Sequence, residues 1–384
     1  MTMNDRLSGN LSDEEYLQRL RTKIAEKRVP YTGSIELTHR CNLKCIHCYL
    51  GDQCSISKET GRELATEPWI DIIDQIVEAQ CLDLLITGGE PTLRKDFPEI
   101  YAHAKRRGMI VTVFSNATLI TPEILDVFGD LPPFFVEISI YGATAATHER
   151  ITQVKGSHAK CMKGIEALLK LGVRVGLKTV LMSLNQHEYA DMENLARKLN
   201  VPWRLDSAVF PCLPNSDSGG QPNRCSLFTM AGDRKASAKS PLSLRVDPQD
   251  AVALEFADGA RVKAMRDTFA KMSGRKVSEK LYTCGAGLTG FHIDPYGCLQ
   301  PCMMTTGYRQ KIVGSSFEKA WREIGRVRDV PAPADYACSA CDKLSICSGC
   351  PALFDLENGA AGVRSEYICA LTQFRFDSIQ NEQG

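Results

Sequence analysis

Three cysteines stand close together near the start of the chain. Cys41, Cys45 and Cys48 lie within His39-Arg-Cys-Asn-Leu-Lys-Cys-Ile-His-Cys-Tyr49, with three and then two residues between them. This spacing supplies three thiolates to an iron–sulfur cubane that needs four ligands, so one iron stays open. An open iron can bind a small molecule directly and pass it an electron, which a fully ligated electron-transfer cluster cannot do. The triplet therefore predicts a catalytic cluster.

A structural zinc site is the main alternative for the same cysteines. Such sites close to four ligands and usually pair cysteines about two to four residues apart, and Cys54 is a candidate for the fourth. A disulfide is less favoured, because the chain opens with a polar, charged segment and no signal peptide. Both alternatives fit the triplet less well than an open cluster does.

Composition limits the class of protein. Lys plus Arg and Asp plus Glu both number 46 among the 384 residues, so the formal net charge is zero. No bulk charge therefore favours nucleic acid or an anionic membrane surface. No apolar run approaches the ~18 residues of a membrane-spanning helix, and we expect a soluble, cytoplasmic protein. The 16 cysteines then indicate metal or cluster ligation.

Short apolar runs alternate with amphipathic stretches from Ser34 onward, which predicts βα units and a parallel sheet. The predicted strands are 34–38, 82–87, 109–114, 134–140, 173–182 and 203–210. The predicted helices are 68–80, 97–107, 122–128, 158–171 and 188–199, with others at 11–27, where Ser12 and Glu15 form a capping box, and at 247–276. Six units predict an α/β fold with a partial (β/α)6 TIM-like barrel.

Sites in parallel α/β barrels gather at the carboxyl ends of the strands. The features at those ends are the cysteine triplet, Gly88-Gly89-Glu90-Pro91, Ser115 with Asn116, and Ser139 with Tyr141 and Gly142. Paired glycines let the backbone approach a ligand closely, and Glu90 either receives an ammonium group or braces its loop. Together these residues suit an amino-acid moiety bound to the open iron.

With Cys41-x3-Cys45-x2-Cys48, the aromatic Tyr49 and Gly-Gly-Glu-Pro at 88–91, the sequence resembles the radical S-adenosylmethionine (radical SAM) superfamily over about residues 34–210. The resemblance implies that SAM chelates the unique iron of a [4Fe-4S] cluster. Reduction then yields methionine and a 5′-deoxyadenosyl radical, which abstracts hydrogen from an unactivated C–H bond. The implied cofactor-binding residues are Tyr49, then Gly88, Gly89 and Glu90 for the methionyl amino group, and Ser115, Asn116 and Ser139 for the ribose or carboxylate.

A second cysteine pattern occupies the C-terminal part of the chain. It reads Cys284-x12-Gly297-x4-Cys302, then Cys338-x2-Cys341-x5-Cys347-x2-Cys350, then Cys369. This pattern resembles the SPASM extension of radical SAM enzymes, which implies two auxiliary Fe-S clusters. One would draw on Cys284, Cys302 and Cys350, and the other on Cys338, Cys341, Cys347 and Cys369. A four-cysteine zinc site within residues 338–350 is the alternative.

Two details depart from the SPASM pattern. Only Ser348 and Gly349 separate the last two cysteines of the central run, where the family has three residues. The ligation of Cys350 is therefore the less secure part of the assignment. An additional cysteine, Cys298, either completes the first auxiliary cluster or is a bystander, and we favour ligation and a closed cluster.

These resemblances divide the chain into an N-terminal helix or lid (1–33), a radical SAM barrel (34–210), a linker (211–276) and a SPASM domain (277–384). Hydrogen abstraction leaves a substrate radical that must lose or gain an electron, and auxiliary clusters provide the outlet. The resemblance implies an oxidoreductase that modifies a ribosomal peptide or protein side chain, giving a thioether or carbon–carbon crosslink. The alternatives are a small metabolite, tetrapyrrole or sulfatase as substrate, and a non-catalytic zinc adaptor.

The expected partners are a peptide or protein substrate and an external electron donor such as flavodoxin or ferredoxin. Residues 1–33 are too few for a leader-peptide reader, so we expect recognition by the barrel face or by a separate protein. No catalytic acid or base is assigned, because charged residues on predicted strands face either the barrel interior or solvent. These are Glu36, Glu137, Lys178, Arg204 and Asp206.

Three residues beside predicted ligands remain. His39 and His47 flank the cluster loop and either tune its potential or simply pack. Sulfatase-maturing relatives tend to carry an acidic residue beside the auxiliary-cluster cysteine, whereas Met303 follows Cys302 here. This difference counts mildly against a sulfatase substrate.

Overall fold

The computed structural model of the chain describes residues 12–51, 53, 62–213, 240–257, 259–272 and 278–381. Nine strands within these residues form one sheet, in the order β6-β5-β4-β3-β2-β1-β7-β8-β9. Their bounds are β1 Thr32–Glu36, β2 Asp83–Thr87, β3 Ile110–Ser115, β4 Phe135–Ser139, β5 Val175–Val180, β6 Trp203–Asp206, β7 Gly290–Ile293, β8 Cys298–Gln300 and β9 Gln310–Lys311.

The described α-helices fall into an exposed N-terminal helix, a set that alternates with β1 to β6, and a C-terminal set. They are α1 Asp13–Glu26, α2 Thr66–Glu78, α3 Phe97–Arg106, α4 Pro122–Asp130, α5 Ala145–Thr152, α6 Ser157–Lys170, α7 Tyr189–Leu199, α8 Pro248–Glu255, α9 Gly259–Met272, α10 Phe317–Ile324, α11 Pro351–Asn358 and α12 Glu366–Asn381. None of the described helices is long and apolar enough to cross a membrane.

The predicted partial barrel is confirmed. Strands β1 to β6 pair in parallel with their neighbours in chain order, and a helix crosses between each pair. The β-branched residues that favour strands provide the buried side of the sheet, as Val111 and Val113 do in β3. Parallel pairing brings the carboxyl ends of all six strands to one rim, where the predicted site residues lie.

The hydrophobic core lies between the sheet and its outer helices. Trp69 of α2, Phe97 and Tyr101 of α3 and Phe128 of α4 are all 1% exposed or less. Each large apolar side chain stabilises the fold by roughly 1.5–3 kcal/mol when fully buried. This packing fixes the helices against the strands and so holds the rim in place.

The sheet continues past the predicted end of the barrel. Strand β7 pairs in parallel with β1, with His292 opposite Ser34, and an antiparallel β7-β8-β9 meander follows. Residues of the predicted SPASM domain are therefore hydrogen-bonded to the first barrel strand. The predicted domain borders themselves remain a prediction.

Several helices differ from the sequence prediction. The capping box of Ser12 and Glu15 begins α1 as expected, but the helix expected over 247–276 is described as two, α8 and α9. Helix α5 was not predicted; Thr144 caps its N-terminus, and Thr147, His148 and Ile151 are buried within it. Cys54, the candidate fourth zinc ligand, lies outside the described residues, as do residues 214–239, 258 and 273–276 of the predicted linker.

Candidate active site

A cavity of about 400 Å³ opens at the carboxyl ends of the strands, and side chains from all of β1 to β7 line it. Cys41, Cys45 and Cys48 share this cavity. The other predicted cofactor residues that line it are Tyr49, Gly88, Gly89, Ser115, Asn116 and Ser139. The structure thus brings together every predicted residue of this site except Glu90.

N–H groups point at the sulfur atoms of the triplet. The Leu43 amide donates to Cys41 Sγ at 3.4 Å, and the Asn116 side-chain amide donates to the same sulfur at 3.7 Å. Burial raises the pKa of Cys48 to about 11, while the amides of Leu50 and Gly51 act in the opposite direction. Such donors stabilise thiolates and tune iron–sulfur clusters, so the donor set fits a cluster.

One polar atom of the cavity wall has no partner among the described residues. The Nδ1 atom of His47 is buried without a hydrogen bond, and its ring packs edge-on to Tyr141 with centroids 4.5 Å apart. An unpaired buried polar atom costs about 1–3 kcal/mol. A polar group bound in the cavity would offset this cost, so His47 also fits a site that holds a cofactor.

A mononuclear metal site gets no support from the described residues. Within them, no three His, Cys, Asp or Glu side chains are placed to hold one metal ion. A cubane distributes its thiolates over separate iron corners, whereas zinc gathers all its ligands on a single centre. The arrangement of Cys41, Cys45 and Cys48 around an open cavity suits the cubane better.

The glycine pair joins the second strand's loop to the cysteine loop. A Cβ atom at Gly89 would lie 2.3 Å from the Arg40 carbonyl oxygen, and one at Gly88, whose φ is +129°, would lie 2.3 Å from that of Thr38. The Gly89 amide donates to Thr38 O at 2.8 Å, and the Glu90 amide donates to Arg40 O at 2.9 Å. Glycine is therefore required by a close approach between two backbones at the cavity wall.

Glu90 stabilises the loops that follow β2 and β3 through its buried side chain. Its side chain is buried and does not line the cavity. Its carboxylate accepts hydrogen bonds from the Thr92 amide and hydroxyl, the Ser115 hydroxyl at 2.9 Å and the Asn116 amide at 2.7 Å. Of the two roles expected from the sequence, these contacts support bracing and leave no oxygen turned toward a ligand.

A second buried carboxylate lies beneath the cluster loop. Glu36 accepts from His39 Nε2 and from the Tyr49 hydroxyl, both at 2.8 Å, and His292 Nε2 is 3.4 Å away. Burial would raise the pKa of Glu36, yet His39 and His292 hold it well below its usual value. The hydrogen bond that His39 makes in this site is therefore with Glu36. Sequence reasoning missed His292 because it belongs to no motif and reaches the site only through the pairing of β7 with β1.

The remaining charged strand residues face inward. Lys178, Arg204 and Asp206 line the cavity. Arg204 binds Glu137 through two nitrogens at 3.0 and 2.8 Å, and Lys178 Nζ lies 3.7 Å from the same carboxylate. These four residues form a charged cluster on β4, β5 and β6, on the inner side of the barrel.

The C-terminal cysteines gather in the two groups expected from the sequence. Burial and the nearby thiols of Cys302 and Cys284 raise the pKa of Cys350, to about 11. Burial likewise raises the pKa of Cys369, and its thiol neighbours are Cys347, Cys338 and Cys341. The Leu353 amide donates to Cys350 Sγ at 3.4 Å. The short Ser348-Gly349 link therefore does not keep Cys350 away from its predicted group.

Cys298 has different neighbours. It lies on β8 opposite Lys311 of β9. Burial and the charge of Asp294 raise the pKa of its thiol, while Arg309 lowers it. Among the residues that the structure describes, these contacts favour the bystander role over the predicted ligation. Met303, next to Cys302, lines the same cavity as the cysteine triplet.

The sequence model of the radical SAM superfamily matches residues 35–199. An AdoMet-dependent heme synthase of Methanosarcina barkeri (strain Fusaro / DSM 804) is 27% identical over 347 residues, covering 86% of this chain and 93% of that protein. The mycofactocin maturase MftC of Mycolicibacterium smegmatis (strain ATCC 700084 / mc(2)155) is 28% identical over 324 residues, covering 82% and 76% respectively.

Solved structures share the fold. Streptococcus suis SuiB bound to S-adenosylmethionine superposes with a TM-score of 0.63 at 16% identity, covering 94% of this chain and 83% of SuiB. SuiB bound to precursor peptide SuiA gives a TM-score of 0.66 at 17% identity, covering 95% and 86%. The enzymatic interpretation is confirmed, and the zinc adaptor is not. Residues 35–199 therefore form a radical SAM domain.

Proposed function

We propose that the chain uses SAM to modify a peptide side chain oxidatively. The observation that carries the proposal is that Cys41, Cys45, Cys48 and Met303 line one cavity. Met303 is bonded to Cys302, a predicted auxiliary ligand, so the radical site adjoins the auxiliary cysteines. An electron released in this cavity has a nearby acceptor, as an oxidative modification requires.

The family's cofactors are a [4Fe-4S] cluster and SAM. Here Cys41, Cys45 and Cys48 would hold the cluster, which when reduced supplies the electron that splits SAM. Asn116 and the Leu43 amide stabilise the Cys41 thiolate. The backbone of Gly88 and Gly89 forms the cavity wall, and Ser139 lies on it for the ribose or carboxylate.

Two auxiliary clusters complete the proposal. Residues 34–210 would perform the radical chemistry and residues 277–384 would hold the auxiliary clusters, with 211–276 as the linker. The two cysteine groups are those of Cys350 and Cys369 described above. An external one-electron donor, such as a flavodoxin or ferredoxin, would reduce the first cluster. Either the barrel face or a separate protein would recognise the peptide.

The cavity has the size of a ligand site. Ligand cavities span roughly 300–1,000 Å³, and this one measures about 400 Å³. Two relatives support a peptide: MftC is called a maturase, and SuiB was solved with a precursor peptide.

A tetrapyrrole is the second candidate substrate. The AdoMet-dependent heme synthase matches 86% of this chain, more than MftC does. The chemistry at the cluster would be the same in both cases.

Anaerobic turnover tests these proposals. The reconstituted enzyme is incubated with SAM, dithionite and either short peptides encoded beside its gene or iron coproporphyrin III, and 5′-deoxyadenosine and substrate mass are measured. We expect a peptide to lose two mass units in step with 5′-deoxyadenosine, and Cys45→Ala to form neither product. A mass loss from the porphyrin alone would select the second candidate, and no 5′-deoxyadenosine in any mixture would overturn both.

A further inference from the structure

Oxidative crosslinking in this cavity needs a proton acceptor, and this requirement rests on the proposed function. One substrate carbon loses a hydrogen atom to the 5′-deoxyadenosyl radical. When the new bond forms, the partner group loses its own hydrogen as a proton and an electron. The electron can leave to an auxiliary Fe-S cluster, but the proton must pass to a side chain of the cavity wall or to water.

Most polar side chains of the wall are already engaged. Met303, next to the predicted auxiliary ligand Cys302, carries no titratable group. Glu36 is buried behind its three donors, and the other ring nitrogen of His292 is 2.8 Å from Ser34 Oγ. Asp206 accepts the Ala208 amide at 2.9 Å. Lys178 lies on the same wall, away from the cysteine loop, and its Nζ is 3.7 Å from the carboxylate of Glu137.

The surroundings of Lys178 act on its ammonium form in both directions. Its Nζ lies 3.3 Å from the centroid of the Phe114 ring on β3, a cation–π contact that favours the ammonium, and 3.7 Å from Glu137 on β4, beyond hydrogen-bonding distance. Glu137 is held instead by the two-point contact of Arg204 on β6. Asp206 on β6 is the other charge that acts on it.

Burial in the cavity weakens the ammonium form. The Lys178 side chain is 24% exposed, and Lys178 lines the cavity. Burial lowers the pKa of Lys178 to about 8, with Arg204 acting in the same direction and Glu137 and Asp206 opposing it. The neutral amine is then present as the minor form near physiological pH, as proton transfer requires.

We propose that Lys178 is the proton acceptor of the reaction, a role that neither the family pattern nor the relatives assign to it. In this step the substrate radical bonds to a partner X–H group of the substrate. The X–H proton moves to the neutral Nζ amine, and one electron leaves to an oxidised auxiliary Fe-S cluster. Together with the hydrogen atom removed first, the substrate loses two hydrogens, and the ammonium returns its proton to water.

Competitive labelling tests the amine without any substrate. Anaerobic holoenzyme is treated with trace acetic anhydride between pH 6 and 11, and peptide mass spectrometry compares Lys178 with the exposed Lys163 of α6. Only a neutral amine reacts, so we expect Lys178 labelling to reach its midpoint at a lower pH than Lys163 labelling. A midpoint equal to that of Lys163 overturns the proposal. So does no labelling in the native enzyme when the denatured enzyme is labelled, because a proton acceptor must be reachable.

Three variants then test the step itself, using the peptide that the wild type modifies. Lys178→Met should reduce crosslinked product by at least about 100-fold while 5′-deoxyadenosine formation persists, because hydrogen abstraction precedes proton transfer. Lys178→Arg should fail equally, since guanidinium is always protonated. Lys163→Met is the matched control and should behave as wild type.

The outcomes separate the possible roles of Lys178. Rescue by Lys178→Arg would mean that residue 178 only binds an acidic group, and an equal loss of product and 5′-deoxyadenosine would mean a structural role; either overturns the proposal. Failure of the proposed function would instead appear in the wild type, as absent peptide product, and would leave the labelling result intact.

Discussion

The hydroxyl of Tyr49 donates a 2.8 Å hydrogen bond to the buried carboxylate of Glu36. Tyr49 directly follows the last cysteine of the triplet, and Glu36 is the final residue of β1. The same carboxylate lies near His292 of β7. The cluster loop is thus tied to the first barrel strand and, through it, to the C-terminal part of the sheet.

The variant Tyr49→Phe removes one of these donors without changing the ring. We expect the free energy of unfolding to fall by about 1.5–3 kcal/mol, because a hydrogen bond to a charged group is lost at a buried site. Anaerobic urea denaturation of the holoenzyme measures it. Tyr16→Phe is the control, since Tyr16 on α1 is 60% exposed, and its effect should stay within about 0.5 kcal/mol. Equal effects would contradict the role assigned to Glu36.

Glu90→Gln tests the brace beneath the rim. An amide keeps one acceptor oxygen but places an NH2 group either against the hydroxyls of Thr92 and Ser115, which share one carboxylate oxygen, or against the Asn116 amide on the other. We expect the free energy of unfolding to fall by about 2–3 kcal/mol, measured by the same denaturation. Glu78→Gln, on the exposed end of α2, should change it by less than about 0.5 kcal/mol. A neutral effect of Glu90→Gln would exclude a bracing role.

The barrel was predictable because its signals are local. Alternating apolar runs and helical stretches gave β1 to β6 within a few residues, and the Ser12–Glu15 capping box began α1 as expected. The cysteine spacing and Gly88-Gly89 likewise lie in short motifs next to strand ends. Such patterns depend on residues that are close together in the chain, so one sequence is enough to recognise them.

The contacts that cross the sheet were not predictable. His292 reaches Glu36 only because β7 pairs with β1, a contact between residues far apart in the chain. The inward orientation of Lys178 likewise depends on the strand's register, which one sequence does not fix when both faces are buried. The role of Glu90 was left open because a carboxylate after two glycines suits a ligand or a brace equally well.

Gly89→Ala tests the close approach between two backbones at the cavity wall. Its Cβ would lie 2.3 Å from the Arg40 carbonyl oxygen and 2.5 Å from that of His39, so the cysteine loop must move. We expect anaerobically reconstituted enzyme to lose about four iron atoms per chain, one [4Fe-4S] cluster, as measured by iron analysis. Gly259→Ala, whose Cβ meets no atom within 4 Å, should keep its iron. Full iron content in Gly89→Ala would show that the loop tolerates the shift.

Cys298 and Cys302 provide a matched pair for the auxiliary site. Cys302 lies among the thiols of Cys284 and Cys350, so Cys302→Ala should lose up to about four iron atoms per chain. The charged neighbours of Cys298 are Asp294, Arg309 and Lys311, so Cys298→Ala should keep its iron. Iron analysis and the electron paramagnetic resonance spectrum of the reduced enzyme measure both.

If Cys298→Ala lost as much iron as Cys302→Ala, Cys298 would be a ligand and the first auxiliary cluster would be closed, as the sequence alone suggested. Retained iron in Cys298→Ala would instead leave that cluster with one corner not held by a cysteine of this group, and therefore able to bind substrate.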